Sequence, residues 1–430
     1  MLAKRDQAAI WHPFTQHQSA SAPLPIVRGE GAYLFDQAGK RYLDLISSWW
    51  TNIHGHAHPD IAKAIYEQAL QLEHVIFSGF THEPAVLLAE ELLTLLPKSF
   101  KKIFYSDNGS TAIEVALKMA YQYWRNVGEK QRTRFIAFEN GYHGDTFGAM
   151  AVSKKSGFFG QFEDLFFHVD MFAYPETWLH DQDVLNKEEK ILTQLDEHLK
   201  KYSKETAALI IEPLIQGAGG MRMCRPEFLQ RLETVVKAHD VLIIYDEVMT
   251  GFGRTGDYFA CLKARTTPDI ICLAKGLTGG FLPLAVTACH ERIYESFLGK
   301  NFDKAFAHGH TFTANPLGCA AALASLSLLK KLETQESIRK IEATHYAMLV
   351  SLPSIKRPRV CGTIAAFDLD LSVEYGSTRS QQLRERFLQR GLLIRPLGNV
   401  MYFLPPYCVT ENELKHAYDI VIEELEGVLV

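Results

Sequence analysis

The sequence predicts an α/β protein with a mainly parallel central sheet and a smaller α+β domain. Short runs of β-branched and aromatic residues alternate with longer amphipathic runs, which is typical of parallel strands joined by helical crossovers. The strand runs are apolar at successive positions, as expected for strands that helices cover on both faces. After about residue 315 this alternation ends, and helices and short strands follow in a mixed order that indicates α+β structure.

The predicted strands of the central sheet share this apolar character and lie at residues 102–106, 133–138, 207–212, 241–245, 269–274 and 284–289. Helices are predicted at 111–126 and 226–239. The second helix opens with a proline, which has no backbone N–H. The first helical position tolerates proline because an N–H at that position would have no hydrogen-bond partner within the helix. We therefore expect residues 51–315 to form a large α/β domain.

The C-terminal part predicts a helix near 315–331, a helix near 334–350, a β-like run at 360–370, a helix near 379–390, strands near 392–396 and 400–404, and a helix from about 411. Residues 31–45 read as a hairpin around the turn Ala38–Lys40. We expect this hairpin to pack with the C-terminal part, so that residues 1–50 and 316–430 together form the small α+β domain.

Charge and composition exclude several classes of protein. The 430 residues carry 45 Lys and Arg against 50 Asp and Glu, and a net charge of −5 does not fit a basic nucleic-acid-binding protein. With 47% hydrophobic residues the chain can bury a large core, which excludes global disorder.

The sequence also predicts a cytoplasmic location and no membrane partner. No apolar run approaches the ~18 residues of a membrane span, and the first residues lack the apolar region of a secretory signal. The seven cysteines form no C-x-x-C pair, which is typical of buried thiols in a reducing compartment.

The first candidate site is the SDNGST run at residues 106–111, between a predicted strand and a predicted helix. Gly109, Ser110 and Thr111 would present N–H groups and hydroxyls at a helix N-terminus, which favours an anion such as phosphate. An ordinary N-cap turn would explain the run equally well. The spacing of a nucleoside-triphosphate-binding P-loop is absent.

Two further strand ends carry ionisable groups. Asp246 and Glu247 follow strand 241–245, where open α/β sheets bind ligands, although such an acid pair also suits a helix cap. Lys275 follows strand 269–274, where burial would lower the pKa of its amine as a Schiff-base nucleophile requires. A solvated strand-end lysine is the common alternative.

A fourth strand end supplies Tyr142, His143 and Asp145, in a loop where the tyrosine ring could stack on a flat cofactor. A polar turn would have the same composition. An anion cradle, a carboxylate and a lysine at neighbouring strand ends together indicate pyridoxal 5'-phosphate. The histidine clusters at residues 54–58 and 308–310 match no known zinc motif, so we predict no metal site.

With these motifs the chain resembles the class III, fold-type I pyridoxal-phosphate transaminases along nearly its whole length. The segments that carry the resemblance are SDNGST, NGYHGDT, IIEPLIQGAGG, DEVMTGFGRTG, CLAKGLTGG and HTFTANPLGCAAA. Four more segments resemble the members that convert 8-amino-7-oxononanoate to 7,8-diaminononanoate in biotin synthesis, namely WHPFTQ, SSWW, GYHGDTFGAM and IRPLGNVMYFLPPY.

The resemblance implies a role for individual residues in a ping-pong transamination. Lys275 would carry the cofactor and transfer the proton, Asp246 would pair with the pyridine nitrogen, and Tyr142 would stack on the ring. The implied cofactor contacts also include Gly109, Ser110, Glu212 and, from the second subunit of a homodimer, Thr311. The implied substrate contacts are Phe14, Trp49, Tyr142, Asp145, Gly309, His310, Arg395 and Tyr402.

Two positions depart from the pattern of the family. Phe14 stands where the family usually has tyrosine, and His310 stands where many users of S-adenosylmethionine have proline. The amino donor therefore remains open between S-adenosylmethionine, favoured by its prevalence in the family, and lysine. The other functions considered are a transaminase for ornithine, 4-aminobutyrate or another ω-amine, an aminomutase, a metal hydrolase and a non-catalytic protein of the same fold.

Overall fold

The structure is a computed structural model that describes residues 2–352, 355–369 and 378–429. Its strands are β1 (Ile26–Glu30), β2 (Tyr33–Asp36), β3 (Arg41–Asp44), β4 (Phe100–Ser106), β5 (Arg134–Phe138), β6 (Val169–Phe172), β7 (Thr206–Ile211), β8 (Ile215–Gln216), β9 (Arg222–Met223), β10 (Leu242–Asp246), β11 (Ile270–Leu273), β12 (Ala285–His290), β13 (Lys356–Cys361), β14 (Ile364–Asp368), β15 (Leu392–Leu393) and β16 (Val400–Phe403).

The helices are α1 (Leu2–Ala9), α2 (Ser47–Trp50), α3 (Pro59–Ala69), α4 (Glu83–Leu95), α5 (Gly109–Asn126), α6 (Phe147–Ala151), α7 (Val184–Tyr202), α8 (Pro226–Ala238), α9 (Ala260–Ala264), α10 (Glu291–Ser296), α11 (Pro316–Leu329), α12 (Leu332–Ser351), α13 (Thr378–Gln389) and α14 (Glu411–Leu429). Short 3-10 helices occupy Gly160–Leu165, Ser203–Glu205, Lys275–Thr278 and Phe302–Lys304. Within the described ranges, no helix combines the length and the apolar character that crossing a bilayer requires.

The central sheet has seven strands in the order β4-β12-β11-β10-β7-β5-β6. Its pairs are parallel except those of β12, which runs antiparallel to both β11 and β4. The predicted α/β class with a mainly parallel sheet is confirmed. Strand β12 reverses because only a 3-10 helix and a loop join it to β11, and a parallel neighbour would need a longer crossover.

Alternate side chains of β10 enter two separate apolar clusters. Leu242 and Ile244 pack in the cluster that contains α5, whereas Ile243 and Tyr245 pack in the cluster that contains α8. Successive side chains of a strand point to opposite faces, so helices on both sides bury the sheet completely. The loops at the carboxyl ends of the strands are then the places where polar side chains gather.

The predicted hairpin forms from β2 and β3, with Gly39 at a φ of +80° in the turn. Strand β15 from the C-terminal part extends this sheet by pairing parallel to β3. The backbone N–H of Leu404 also donates to the carbonyl of Leu45 at 2.7 Å. The first fifty residues therefore contact the C-terminal part, while the exact domain boundaries at residues 50 and 315 stay a prediction.

The β-like run expected at residues 360–370 is divided in the structure. Its described part belongs to two antiparallel strands, β13 and β14, and a turn at Gly362 separates them. Gly362 has a φ of +58°, and a Cβ there would lie 2.3 Å from the backbone of Thr255, so this turn requires glycine. Residue 370 lies outside the described residues.

Candidate active site

A cavity of about 640 Å³ opens at the carboxyl ends of the central strands. The loops after β4, β5, β7, β10 and β11 supply its walls, which is where ligands bind in open α/β sheets. Seven of the residues singled out in the sequence line this one cavity: Gly109, Ser110, Tyr142, Asp145, Glu212, Asp246 and Lys275. The structure thus brings the four strand-end motifs together.

The turn between β4 and α5, the anion cradle expected from the sequence, lines the cavity. Asn108 caps α5, since its Oδ1 accepts from the backbone N–H of Thr111 at 3.1 Å while its own N–H donates to the Thr111 hydroxyl at 3.0 Å. The reciprocal caps fix the first turn of the helix, where Gly109 and Ser110 line the cavity. A Cβ on Gly109 would lie 2.7 Å from Val248, so only glycine fits there.

The two neighbouring acids have different roles. Asp246 is 4% exposed, and its Oδ2 lies 2.7 Å from Nδ1 of His143, while its Oδ1 accepts from the N–H of Val248 at 3.1 Å. Glu247 does not line the cavity and accepts from the N–H groups of Ala260 and Cys261 at the start of α9. Asp246 thus lies where a ligand could bind, as the first interpretation of the acid pair predicts. Glu247 caps a helix, as the second interpretation predicts.

Lys275 begins the loop after β11 and has a φ of +46°, a left-handed backbone conformation that costs an L-residue about 1–3 kcal/mol. Within the described part of the chain, its Nζ has no hydrogen-bond or ion-pair partner and lies 4.6 Å from the ring centroid of Trp50. Burial lowers the pKa of its amine to about 8, although Asp246 and Glu212 act in the opposite direction. The amine is therefore suited to act as a nucleophile near neutral pH.

Tyr142 and Glu212 form another wall of the cavity. The carboxylate of Glu212 accepts from the N–H of Tyr142 and from the N–H of Gly217, each at 3.0 Å. Burial raises the pKa of Glu212 to about 7. The Tyr142 hydroxyl donates to Asp145 at 2.9 Å, and the N–H of Asp145 donates to the Ser110 hydroxyl at 3.1 Å. These bonds link the aromatic loop to the anion cradle.

Three of the other predicted residues form a separate group of contacts. The Arg395 guanidinium lies 5.0 Å from the ring centroid of Trp49, and the Phe14 ring lies edge-on to Trp49 at 6.0 Å. Phe14 and Arg395 line a second cavity of about 680 Å³, which the N-terminal segment and α13 enclose. Tyr402 is buried in β16, where its hydroxyl accepts from the Trp50 indole N–H at 3.1 Å.

Gly309, His310 and Thr311 lie in the loop before α11 and do not line the first cavity. Gly309 and Thr311 are exposed. His310 lies with its Nδ1 3.4 Å from Asp107 and its Nε2 3.1 Å from Nε2 of His308. A single chain therefore does not bring these three residues to the cofactor cavity.

Sequence reasoning missed the contacts of two residues. His143 was recognised only as part of a loop, yet it is buried against Asp246. Among the sequence motifs, Trp50 was considered only as part of the SSWW segment, yet its ring centroid lies 4.6 Å from the Lys275 amine. The signal for His143 was its place beside Tyr142 at a strand end, but only the fold shows that this loop reaches β10.

Two histidines of the first cluster have different partners. Nε2 of His54 lies 3.1 Å from the Ser325 hydroxyl, and Nε2 of His56 lies 2.9 Å from a carboxylate oxygen of Asp44. Across residues 2–352, 355–369 and 378–429, His, Cys, Asp and Glu side chains form no group of three or more that could hold a metal ion.

The residues of the first cavity fit pyridoxal phosphate. The glycine-restricted cradle matches a phosphate, and the buried Asp246 carboxylate matches a pyridinium N–H. The Lys275 amine, which has no partner among the described residues, matches the aldehyde carbon. Each of the three functional groups of the cofactor, namely the phosphate, the pyridine nitrogen and the aldehyde, thus has a residue of matching chemistry in this cavity.

The lowered pKa of Lys275 predicts how the cofactor-free protein captures pyridoxal phosphate at different pH values. Only the neutral amine attacks, so the capture rate should rise about tenfold per pH unit below the amine pKa of about 8 and level off above it. Stopped-flow absorbance with the apoprotein would measure this profile, and circular dichroism would control for unfolding. A rate that still rises steeply near the ordinary lysine pKa, about 10.4, would contradict the lowered value.

Comparisons with known proteins agree with this geometry. The family profile described as aminotransferase class-III matches residues 14–425. The chain is 51% identical over 423 residues to the adenosylmethionine-8-amino-7-oxononanoate aminotransferase of Synechococcus elongatus, with 97% of this chain and 99% of that protein covered.

Solved structures give the same result. The crystal structure of adenosylmethionine-8-amino-7-oxononanoate aminotransferase from Methanocaldococcus jannaschii is similar with a TM-score of 0.89 and 36% identity, covering 99% of this chain and 98% of that chain. An amine transaminase from an uncultivated Pseudomonas species, solved with pyridoxal phosphate bound, has a TM-score of 0.87 and 31% identity, covering 97% of this chain and 98% of that chain.

Proposed function

Because the chain belongs to the class III aminotransferase family and is therefore a pyridoxal-phosphate-dependent aminotransferase, we propose that it transfers an amino group to 8-amino-7-oxononanoate to give 7,8-diaminononanoate. The relatives that bear this activity in their names are similar over nearly the whole chain. Bound pyridoxal phosphate supplies the electron sink and stores the amino group between the donor and the acceptor half-reactions. The chain's own residues bind the reactants and move the proton.

Lys275 is the proposed catalytic base and acid. A neutral amine with a pKa near 8 could take the proton from the substrate carbon and pass it to the cofactor within the first half-reaction, and move a proton in the opposite direction in the second. The Trp50 ring next to its Nζ restricts where the amine can swing. Proton transfer and cofactor attachment therefore depend on the same side chain.

Asp246 is proposed to keep a proton on the pyridine nitrogen. Its carboxylate is held on both sides, by His143 at one oxygen and by the Val248 N–H at the other, so it keeps one orientation. Gly109 and Ser110 are proposed to bind the phosphate, and Tyr142 to stack on the ring with Glu212 holding its backbone.

Arg395 carries the proposal for the acceptor. Its guanidinium lies over Trp49, so a planar cation and an exposed apolar ring are adjacent. A guanidinium binds a carboxylate in a bidentate manner, and the aromatic rings of Trp49 and Phe14 suit the apolar chain that follows. The acceptor has this chemistry, with a carboxylate at one end and an amino ketone at the other.

S-adenosylmethionine is the proposed amino donor, with lysine as the alternative. The names of the relatives support the first, while Phe14 and His310 keep the second open. We further propose a homodimer in which the exposed Thr311 reaches the phosphate of the other subunit. A cytoplasmic location is proposed because the cysteines carry free thiols, five of them buried.

A single-turnover absorbance experiment tests the function. The pyridoxal-phosphate-loaded protein is mixed separately with S-adenosylmethionine and with lysine, and 8-amino-7-oxononanoate is then added. We expect one donor to bleach the visible absorbance of the cofactor and the acceptor to restore it. A panel of ornithine, 4-aminobutyrate and other ω-amines is the comparison, and reaction with these alone would replace the proposed substrates.

Replacing Arg395 with alanine tests the acceptor site. Loss of a charged hydrogen-bond pair should raise the KM for 8-amino-7-oxononanoate about tenfold to a hundredfold, whereas the donor half-reaction should change less than about twofold. The matched control is Arg390→Ala, because Arg390 pairs with Glu423 and Glu424 instead. An equal loss in both half-reactions would show that Arg395 is structural.

A further inference from the structure

A continuous line of aromatic contacts connects the two cavities. Trp49 lies under Arg395 and against Phe14, and the ring of Phe14 lies edge-on to Phe158 at 5.9 Å. Phe158 in turn lies edge-on to Tyr142 at 6.0 Å. Tyr142 lines the cavity that contains Lys275, and Phe14 lines the cavity that contains Arg395. Phe158 therefore contacts one ring of each cavity.

Local structure places Phe158 at this position. Gly157 before it has a φ of +86°, which a residue with a side chain would adopt only under strain. Phe159 after it is 4% exposed and stacks on Tyr142 at 5.9 Å, so the chain is anchored on one side of Phe158. Phe158 itself is only half-buried, so part of its ring remains accessible beside the exposed rings of Phe14 and Trp49.

We propose that Phe158 is a specificity-determining residue that packs against the apolar chain of the acceptor, between the guanidinium of Arg395 and the amine of Lys275. The proposal rests on the proposed function and names a contact that the sequence motifs do not include. Arg395 would fix the carboxylate and Lys275 the reacting end, so a ring between them selects for the length of the chain. An acceptor with a shorter chain would leave this ring without a contact.

Straight-chain carboxylates from butanoate to nonanoate test the contact independently of turnover. Calorimetry on the pyridoxal-phosphate-loaded protein would measure their affinity for the wild type, Phe158→Ala and Phe158→Leu. For the wild type we expect affinity to rise with chain length, up to about fourfold per buried methylene. Phe158→Ala should weaken nonanoate about tenfold and leave butanoate within twofold, with Phe158→Leu in between.

Phe162→Ala is the matched control, because Phe162 lies in the same segment but contacts Phe147 and is 44% exposed. It should bind nonanoate as the wild type does. In turnover, Phe158→Ala should raise the KM for 8-amino-7-oxononanoate about tenfold and affect the donor half-reaction less than the acceptor half-reaction.

Three results would overturn the proposal. In the first, the wild type binds nonanoate no better than butanoate. In the second, Phe158→Ala binds nonanoate within twofold of the wild type. In the third, Phe158→Ala loses affinity for butanoate and for nonanoate to the same extent. Failure of the wild type to use 8-amino-7-oxononanoate would instead overturn the proposed function, and the carboxylate series would still decide the role of Phe158.

Discussion

Lys275→Ala should abolish both half-reactions, with a loss of about 10⁴-fold or more, because one amine is proposed to serve both as the attachment point and as the proton carrier. The variant should remain folded. Alanine and lysine pay the same cost for the left-handed backbone at this position, and the lysine amine has no ion pair to lose within the described chain. Single-turnover absorbance with each substrate would measure the loss, and thermal unfolding would confirm the fold.

The control for this variant is Lys263→Ala. The Lys263 ammonium donates to the carbonyl of Thr255 at 2.6 Å and pairs with Glu342, so it is a structural lysine outside the cavity. Its replacement should lower the melting temperature and leave both half-reactions intact. Turnover by a folded Lys275→Ala protein would refute the proposed mechanism.

Asp246→Asn should lower the rates of both half-reactions about 10²- to 10³-fold, because an amide cannot hold a positive charge on the pyridine nitrogen. Cofactor capture should survive, since Lys275 and the cradle at Gly109 are unchanged. The measurements are the single-turnover rates and the affinity for pyridoxal phosphate. If the rates fell only in proportion to lost cofactor, Asp246 would be a binding residue alone.

The neighbouring acid gives a control of the opposite kind. Glu247 is fully buried and caps α9, so Glu247→Gln should reduce stability while the half-reaction rates of the folded protein stay within about twofold of the wild type. Substitution of Asp246 would then affect the reaction rates, whereas substitution of its neighbour Glu247 would affect stability. A rate loss in both variants would mean that the loop after β10, and not the Asp246 charge, sets the rate.

The sequence predicted the central sheet and the cofactor cavity because both depend on local patterns. Apolar runs identify β4, β5, β7, β10 and β11, and the polar residues that follow each run must meet at one edge of a parallel sheet. Asp246 and Lys275 could therefore be placed together without coordinates. The predicted helix at 226–239 is likewise confirmed by α8, since its proline marks the start.

What the sequence could not predict depends on contacts between distant segments. The run of β12 is apolar in either direction, so its antiparallel pairing with both β11 and β4 shows only in the assembled sheet. Nothing in the acid pair shows which carboxyl faces the cavity, because that depends on where α9 lies. Phe158 carries no local signal, since its neighbours Phe14 and Tyr142 are far apart in the chain.

The four-stranded sheet that joins the chain ends has a consequence for how this enzyme can change. Trp49 follows β3 and Arg395 follows β15, and these two strands pair side by side, whereas Asp246 and Lys275 follow strands of the central sheet. If Trp49 and Arg395 bind the far end of the acceptor as proposed, the acceptor-binding residues and the proposed catalytic residues follow strands of two different sheets. We therefore expect substitutions that follow β3 and β15 to change which acceptor is used more than they change the reaction itself.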